Sequence, residues 1–141
     1  SEMCIRDRTK IAAIGIMSGI MLPDDSCNSN EYTSVIHFHG TYDTDVPYNG
    51  ELDFDSVPYV VNFWLNHNSI PQSSETITPL NGGVGTKTEY TGGNGNTDFT
   101  LYKIDEEYGK EGGHVWFGDA INGKIPGQIM WDFLSNYTTN D

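Results

Sequence analysis

The feature that most constrains the fold is a short apolar run that ends abruptly in a glycine and a pair of acids. The run Ser34–His39 is rich in β-branched and aromatic side chains, and Gly40 stops it before Asp43 and Asp45. Such a run predicts a β-strand, followed by a loop that carries carboxylates just past the carboxyl end of the strand. In open α/β sheets, ligands and catalytic groups collect outside that edge. The loop after this strand is therefore a candidate functional site.

The strand also places two histidines together, because side chains alternate between the two faces of a sheet. His37 and His39 share one face, while Ile36 and Phe38 take the other. Two histidines on one strand face, with Asp43 nearby, have the ligand chemistry of a metal site. The pattern also fits a structural role, in which His37 packs beneath the loop and His39 orients the loop through a hydrogen bond. We favour the structural role, because two histidines separated by one residue form a pattern of low specificity.

A second strand leads to a histidine further along the chain. The run Phe99–Ile104 is followed, after a charged loop, by Gly112, Gly113 and His114. An acid after one strand and a histidine after a later one is the chain order of the last two members of an α/β-hydrolase triad. In such a triad the carboxylate holds the imidazole in one tautomer and stabilises the imidazolium that forms. The first member, a serine in a G-x-S-x-G turn, does not occur in this sequence.

Asp43 and His114 are therefore the predicted catalytic pair, although two acids compete for the first position. Asp45 adjoins Val46 and Pro47, a setting that suits the cap of a turn, which is a common role of Asp. We predict that Asp43, rather than Asp45, contacts His114.

Two segments have the apolar spacing of a helix that packs on one face. The first begins after Ser56, a suitable N-cap, has Pro58 in its first turn, and ends near Asn68. Its apolar stripe consists of Val57, Val60, Val61, Trp64 and Leu65. The second helix begins near Pro126, and its stripe consists of Ile129, Met130, Phe133 and Leu134, flanked by Trp131 and Tyr137. We expect both Trp64 and Trp131 to lie in the core.

The remaining segments predict further strands. Lys10–Ile20 is apolar with no polar face, and its glycine and isoleucine content favours a strand buried on both sides, as in parallel sheets. Thr76–Leu80 and Thr86–Tyr90 are short β-rich pieces separated by a glycine turn, and Gly92–Asn96 forms a second turn. The predicted fold class is α/β, with a mainly parallel sheet, flanking helices and a β-hairpin insertion.

The charge of the chain excludes several classes of partner. The 141 residues carry a formal net charge of −13 and only seven basic side chains. Nucleic-acid binders need a basic face, and anionic membranes or polymers repel an acidic surface. No apolar stretch is long enough to span a bilayer. A neutral polymer or a small ester carries no such penalty.

The first eight residues join poorly to the apolar segment after them. Ser1–Arg8 has no periodicity and resembles the translated end of a sequencing adapter, so we interpret it as non-native and place the domain at residues 9–141. On this interpretation Cys4 is lost and Cys27 is the remaining cysteine. Cys27 is then either a buried free thiol or a residue whose partner lies upstream, and we favour the second.

Three segments together resemble the secreted polyhydroxybutyrate depolymerase and feruloyl esterase family of α/β-hydrolases. They are HFHGTYDTDVPY (His37–Tyr48), VNFWLNHN (Val61–Asn68), and LYKI followed by GGHVW (Leu101–Ile104 and Gly112–Trp116). The similarity runs from about Ile11 to Tyr137. The resemblance implies that the chain is the C-terminal half of an α/β-hydrolase fold, truncated before the half that holds the nucleophile.

Within this resemblance, Asp43 matches the triad acid and His114 the triad base. Ile11–Gly19 is similar to the strand that follows the nucleophile helix, so the serine is expected upstream. The sequence departs from the family pattern at Phe117, where the family has proline, and at Asp45, where a less polar residue is usual. The first departure is expected to reshape the wall of the substrate cleft.

Trp116 and His39 are the predicted substrate-binding residues. An aromatic side chain beside a catalytic histidine can line a cleft, fill the core or do both, so both placements stay open for Trp116. We expect no cofactor and no metal ion at the site.

The functional expectation is a serine carboxylic-ester hydrolase that acts on polyester or on feruloyl or acetyl esters of polysaccharide. The chain as given lacks the serine and is expected to be inactive, and the parent protein is expected to be extracellular or periplasmic. The alternative is a non-catalytic, polymer-binding domain of hydrolase-like fold. A metal-dependent site built on His37, His39 and Asp43 is a third and weaker hypothesis.

Overall fold

The structure is a computed structural model that describes residues 11–19, 31–105 and 113–138. The expectations for Ser1–Arg8, Cys4 and Cys27 lie outside the described residues. The same holds for Gly112 and for most of the charged loop before it.

Seven helices and strands make up the regular structure of the described ranges. In chain order they are β1 (Ala13–Met17), β2 (Ser34–Gly40), α1 (Val57–His67), β3 (Thr76–Pro79), β4 (Gly85–Tyr90), β5 (Phe99–Ile104) and α2 (Pro126–Leu134). Short 3-10 turns cover Gln72–Ser74, Asn81–Gly83 and Asn94–Asn96. The chain is therefore of the α/β class, as its sequence predicts.

The described strands form one five-stranded sheet in the order β1-β2-β5-β4-β3. β2 pairs in parallel with β1 on one side and with β5 on the other. β4 pairs antiparallel with both β5 and β3. The sheet is thus mixed, whereas the sequence predicts a mainly parallel one. The difference arises because β4 bonds directly to β5 and β3 bonds to β4, so that the hairpin extends the same sheet and does not form a separate insertion.

The two helices cover opposite faces of this sheet. On one face, Val35 of β2 and Phe99 of β5 pack with the apolar stripe of α1. On the other face, Ile36 and Phe38 form a second cluster, where Phe38 stacks on Tyr102 with ring centroids 4.6 Å apart. The predicted alternation along β2 is confirmed, and both faces of this strand are buried.

Helix α1 forms as predicted. The Ser56 hydroxyl accepts a hydrogen bond from the Tyr59 N–H at 3.2 Å, which caps the first turn. The predicted stripe is the buried set, namely Val57, Val60, Val61, Trp64 and Leu65. At the other end the buried Asn68 side chain bonds to both backbone groups of Thr33, at 3.0 and 2.7 Å. These two bonds tie the end of α1 to the start of β2.

Helix α2 begins at Pro126 as predicted, but its packing differs from the expectation. Trp131 is 64% exposed, so its predicted core position is wrong. Trp131 follows Ile129 by two residues, so its side chain lies about 200° further around the helix. It therefore points away from the face that packs on the sheet. That face supplies Ile129, Met130 and Phe133, each only partly buried. Neither α1 nor α2, the helices in the described ranges, is long and apolar enough to cross a membrane.

Strand β1 is half-buried, although the sequence predicts burial on both sides. It lies at one end of the sheet order, with β2 as its neighbour among the described strands. Helix α2 covers one of its faces, and a Cβ atom at Gly15 would overlap the Met130 side chain. Gly15 therefore permits a close approach between this helix and the strand.

Candidate active site

The carboxyl ends of two parallel strands bring the predicted pair together. β2 runs into the loop that holds Asp43, while the chain after β5 returns to the same edge at His114. The Thr41 N–H donates to the Ile104 carbonyl at 2.8 Å, which fastens the loop after β2 to the end of β5. Nδ1 of His114 lies 3.1 Å from Oδ2 of Asp43, although 71 residues separate them in the chain.

The Asp43 carboxylate is buried and fully bonded. Its Oδ1 accepts hydrogen bonds from the N–H groups of Asp45 at 3.0 Å and Val46 at 2.7 Å. The loop thus curls around the carboxylate that it carries, and Oδ2 is left to face His114. Asp45 is exposed and contributes its backbone N–H group. Of the two acids that the sequence left in competition, Asp43 is the one that contacts His114.

His114 presents one ring nitrogen to the acid and leaves the other available. Its side chain is 44% exposed. Because a carboxylate accepts only, the neutral ring bonds to Asp43 through an Nδ1–H group, and the lone pair then resides on Nε2. The described residues offer Nε2 no hydrogen-bond partner. This is the arrangement that a general base needs, since Nε2 can take a proton while the carboxylate stabilises the resulting charge.

A second layer of histidines lies behind Asp43. His39 is completely buried, and its Nε2 is 2.9 Å from the Val46 carbonyl and 3.5 Å from Oδ2 of Asp43. His37, also completely buried, places Nε2 at 3.2 Å from Nδ1 of His39. His39 therefore supports the loop from within, as the structural interpretation of the sequence expects. His39 is also predicted to contact the substrate. Because its ring is completely buried, His39 can influence a substrate only through Asp43 or the loop.

Burial keeps both of these histidines neutral. Burial and, to a smaller extent, the neighbouring His39 together lower the pKa of His37 to about 3, although the backbone at Gly19 acts in the opposite direction. Burial also lowers the pKa of His39, and His114 adds to this effect. The Val46 carbonyl and the Asp43 carboxylate oppose the shift at His39 without cancelling it.

The metal hypothesis finds no support in this geometry. Both ring nitrogens of His39 are engaged, one with His37 and the other with the Val46 carbonyl, so His39 has no free lone pair to bind a metal ion. Within the described ranges, no group of three or more histidine, cysteine or acidic side chains is arranged to hold a metal.

The segment around His114 is anchored to the end of β1, a contact that the sequence patterns did not predict. The Ser18 hydroxyl donates to the Val115 carbonyl at 3.1 Å, and the Phe117 N–H contacts Sδ of Met17 at 3.2 Å. Ser18 is buried and has a φ of 52°, a left-handed conformation that is uncommon for a residue other than glycine. The sequence feature that could have indicated a turn here is the Ser18-Gly19 pair at the end of an apolar strand, a typical place for a sharp turn.

Two exposed aromatic side chains lie within two residues of the pair in the chain. Trp116 is 71% exposed, so it does not fill the core, which is one of the two placements that the sequence leaves open. Tyr42, beside Asp43 in the chain, is 53% exposed. Phe117 has the opposite placement, because it is 4% exposed and packs in the core on the α2 side of the sheet. Phe117, which stands where the resembled family has proline, therefore fills the interior in this chain.

The site thus contains a buried carboxylate, a half-exposed imidazole and a supporting pair of neutral histidines at the carboxyl edge of a sheet. No protein-family model, curated protein or solved structure matches the chain. The function is accordingly inferred from the geometry and chemistry of these residues.

Proposed function

We propose that the chain is the acid-and-histidine part of a serine carboxylic-ester hydrolase with the α/β-hydrolase fold. The observation that carries the proposal is the 3.1 Å contact between Nδ1 of His114 and the buried Oδ2 of Asp43. The parallel order β1-β2-β5 supports it, since acid and histidine follow neighbouring strands at one edge. The resemblance to polyhydroxybutyrate depolymerases and feruloyl esterases points to the same fold and chemistry.

The proposed mechanism uses a serine that lies outside this sequence. Its hydroxyl oxygen attacks the ester carbonyl while Nε2 of His114 takes the proton, and Asp43 stabilises the imidazolium. Collapse of the tetrahedral intermediate expels the alcohol, which receives that proton from His114. Water, activated by the same nitrogen, then hydrolyses the acyl-serine and releases the acid. Backbone N–H groups are expected to stabilise the oxyanion in both steps.

The proposed substrates are neutral esters, either polyester or feruloyl and acetyl esters of polysaccharide. The net charge of −13 disfavours anionic polymers. Trp116 and Tyr42 are exposed aromatic side chains within two residues of the pair in the chain, which suits contact with an apolar or aromatic acyl group. Polymeric substrates of this kind fit an extracellular or periplasmic parent protein.

Ser18 needs separate treatment, because it stands first in a chain order of serine, acid and histidine. Its side chain is buried, and its hydroxyl donates to the Val115 carbonyl. A nucleophile donates to the histidine ring and is open to substrate. The position of Ser18 therefore supports an anchoring role for this residue, and the proposal assigns the nucleophile to the upstream sequence.

The test restores the upstream coding sequence and measures turnover of short-chain and feruloyl esters. We expect turnover in the restored protein, with kcat reduced by about 10³–10⁴ in His114→Ala and Asp43→Asn. The matched control Asp45→Asn should stay within a few-fold of the parent, since that side chain is exposed. Ser18→Ala should retain ester turnover, because the proposal assigns the nucleophile to the upstream sequence and not to Ser18. Absence of ester turnover, or turnover that survives His114→Ala, rejects the proposal.

A non-catalytic polymer-binding domain is the second candidate. The exposed Trp116 and Tyr42, combined with the absence of a G-x-S-x-G turn from the sequence, favour it. Binding of the purified chain to insoluble polyester particles, and its loss in Trp116→Ala, tests this candidate. If the chain binds polyester through Trp116 and the restored protein turns over no ester, the polymer-binding domain is selected over the hydrolase.

A further inference from the structure

The two buried histidines behind Asp43 have a definite arrangement of protons. A backbone carbonyl only accepts, so the contact of 2.9 Å between Nε2 of His39 and the Val46 carbonyl requires an Nε2–H group. The neutral His39 ring then holds its lone pair on Nδ1. That lone pair accepts from Nε2–H of His37 at 3.2 Å. Each ring thus carries one proton, and each of these protons is directed toward the site.

The proton on Nε2 of His39 bonds to one group of the acid-bearing loop and lies close to a second. Besides the Val46 carbonyl, Oδ2 of Asp43 lies at 3.5 Å. The N–H group of Val46 in turn donates to Oδ1 of Asp43. The His39 ring, the Val46 peptide and the Asp43 carboxylate therefore contact one another in a ring of three groups. These contacts hold Oδ1 toward the loop and leave Oδ2 facing His114.

The alternative proton arrangement is unfavourable. If His39 carried its proton on Nδ1, its bare Nε2 would face the Val46 carbonyl at 2.9 Å, and both atoms only accept. His37 would also have to turn a lone pair toward His39 and withdraw the proton that it donates at 3.2 Å. The donation from Nε2 of His37 to Nδ1 of His39 therefore favours the tautomer of His39 that serves the loop.

We propose that His39 is a positioning residue for the Asp43–His114 pair, and that His37 holds His39 in the required tautomer. The catalytic meaning of the proposal rests on the proposed function, but the positioning itself is a property of this chain. His39 acts through Asp43 and the Val46 peptide, and it touches no reacting atom.

The first test needs no variant. In the ¹⁵N-labelled full-length chain, the hydrogen bond between the two rings should give a nitrogen–nitrogen coupling between Nε2 of His37 and Nδ1 of His39. His39 should show a proton on Nε2 and a bare Nδ1. A proton on Nδ1 of His39, or a missing coupling in the folded chain, overturns the proposal.

The second test measures what the loop loses with His39. In His39→Phe we expect the amide protons of Asp45 and Val46 to exchange about tenfold faster, because the carboxylate that accepts them is less well held. His39→Gln keeps a donor of similar reach and should restore most of the protection. His67→Gln is the matched control, since His67 also bonds to a backbone carbonyl, that of Glu31, but at the far end of α1. Equal exchange in His39→Phe and the control overturns the proposal.

The restored hydrolase provides a third readout that separates this proposal from the proposed function. There His39→Phe should lower kcat and leave KM nearly unchanged, with recovery in His39→Gln. If the restored protein hydrolyses no ester while the coupling and the amide protection behave as expected, the proposed function fails and the positioning role stands. If ester hydrolysis is present and His39→Phe retains the parent kcat, the positioning role fails alone.

Discussion

Acidification should destabilise this protein through its buried histidines, and His37 gives the clearest case. In the folded chain burial lowers the pKa of His37 to about 3, whereas the ordinary value, which applies in the unfolded chain, is 6.5. Below pH 6.5 the unfolded state therefore binds a proton that the folded state refuses, so stability falls as the pH falls. The slope approaches about 1.4 kcal/mol per pH unit. Between pH 7 and pH 5 the loss assigned to His37 is about 2 kcal/mol.

The assay is urea unfolding, monitored by tryptophan fluorescence, at several pH values between 7 and 5. A loss of this size is measurable against a typical domain stability of about 5–15 kcal/mol. In His37→Phe the ring cannot take up a proton, so the variant should lose about 2 kcal/mol less than the parent over the same range. Acidic side chains that titrate in both proteins cancel in this difference.

A control variant of the same strand separates titration from lost packing. Phe38→Leu alters a buried side chain of β2 that does not titrate, and it should keep the parental pH dependence. His39 contributes in the same direction as His37, because burial also lowers its pKa, so some acid sensitivity should persist in His37→Phe. Parallel stability profiles for the parent and His37→Phe would refute the reasoning, since His37 would then titrate alike in the folded and unfolded states.

Single contacts give three further predictions, each measured by urea unfolding. Asp43→Ala leaves two backbone N–H groups without their acceptor and should cost about 2–3 kcal/mol, whereas the exposed Asp45→Ala should stay within about 0.5 kcal/mol. Ser56→Ala removes the cap of α1 and should cost about 1 kcal/mol. Trp64→Ala should cost about 3–5 kcal/mol, while Trp131→Ala should change stability by less than about 0.5 kcal/mol; equal losses at the two tryptophans would contradict the packing of α2.

Local patterns in the sequence predict the single elements well. The β-branched run of β2, the capped stripe of α1 and the proline start of α2 each appear where the pattern indicates. These features depend on periodicity and capping, which act over a few residues. The placement of Asp43 and His114 at one sheet edge could be predicted for a different reason, because residues that follow parallel strands meet at the carboxyl edge of the sheet.

Contacts between distant segments cannot be predicted from such local patterns. The attachment of β4 to β5, which makes the sheet mixed, depends on which edge is free when the hairpin docks. The exposure of Trp131 depends on how little of α2 the sheet covers. The proton arrangement of His37 and His39 arises from distances between rings that no spacing rule supplies. The Ser18 anchor likewise joins segments 97 residues apart in the chain.

The position of the proton on the neutral ring of His114 decides whether Asp43 and His114 form the proposed pair. Long-range nitrogen–proton spectra of the ¹⁵N-labelled chain at alkaline pH distinguish the two tautomers. We predict a proton on Nδ1, held by Asp43, with a bare Nε2, and a shift toward the other tautomer in Asp43→Ala. A proton on Nε2 in the parent chain, or a tautomer that is the same in Asp43→Ala, would contradict the pairing of the two side chains.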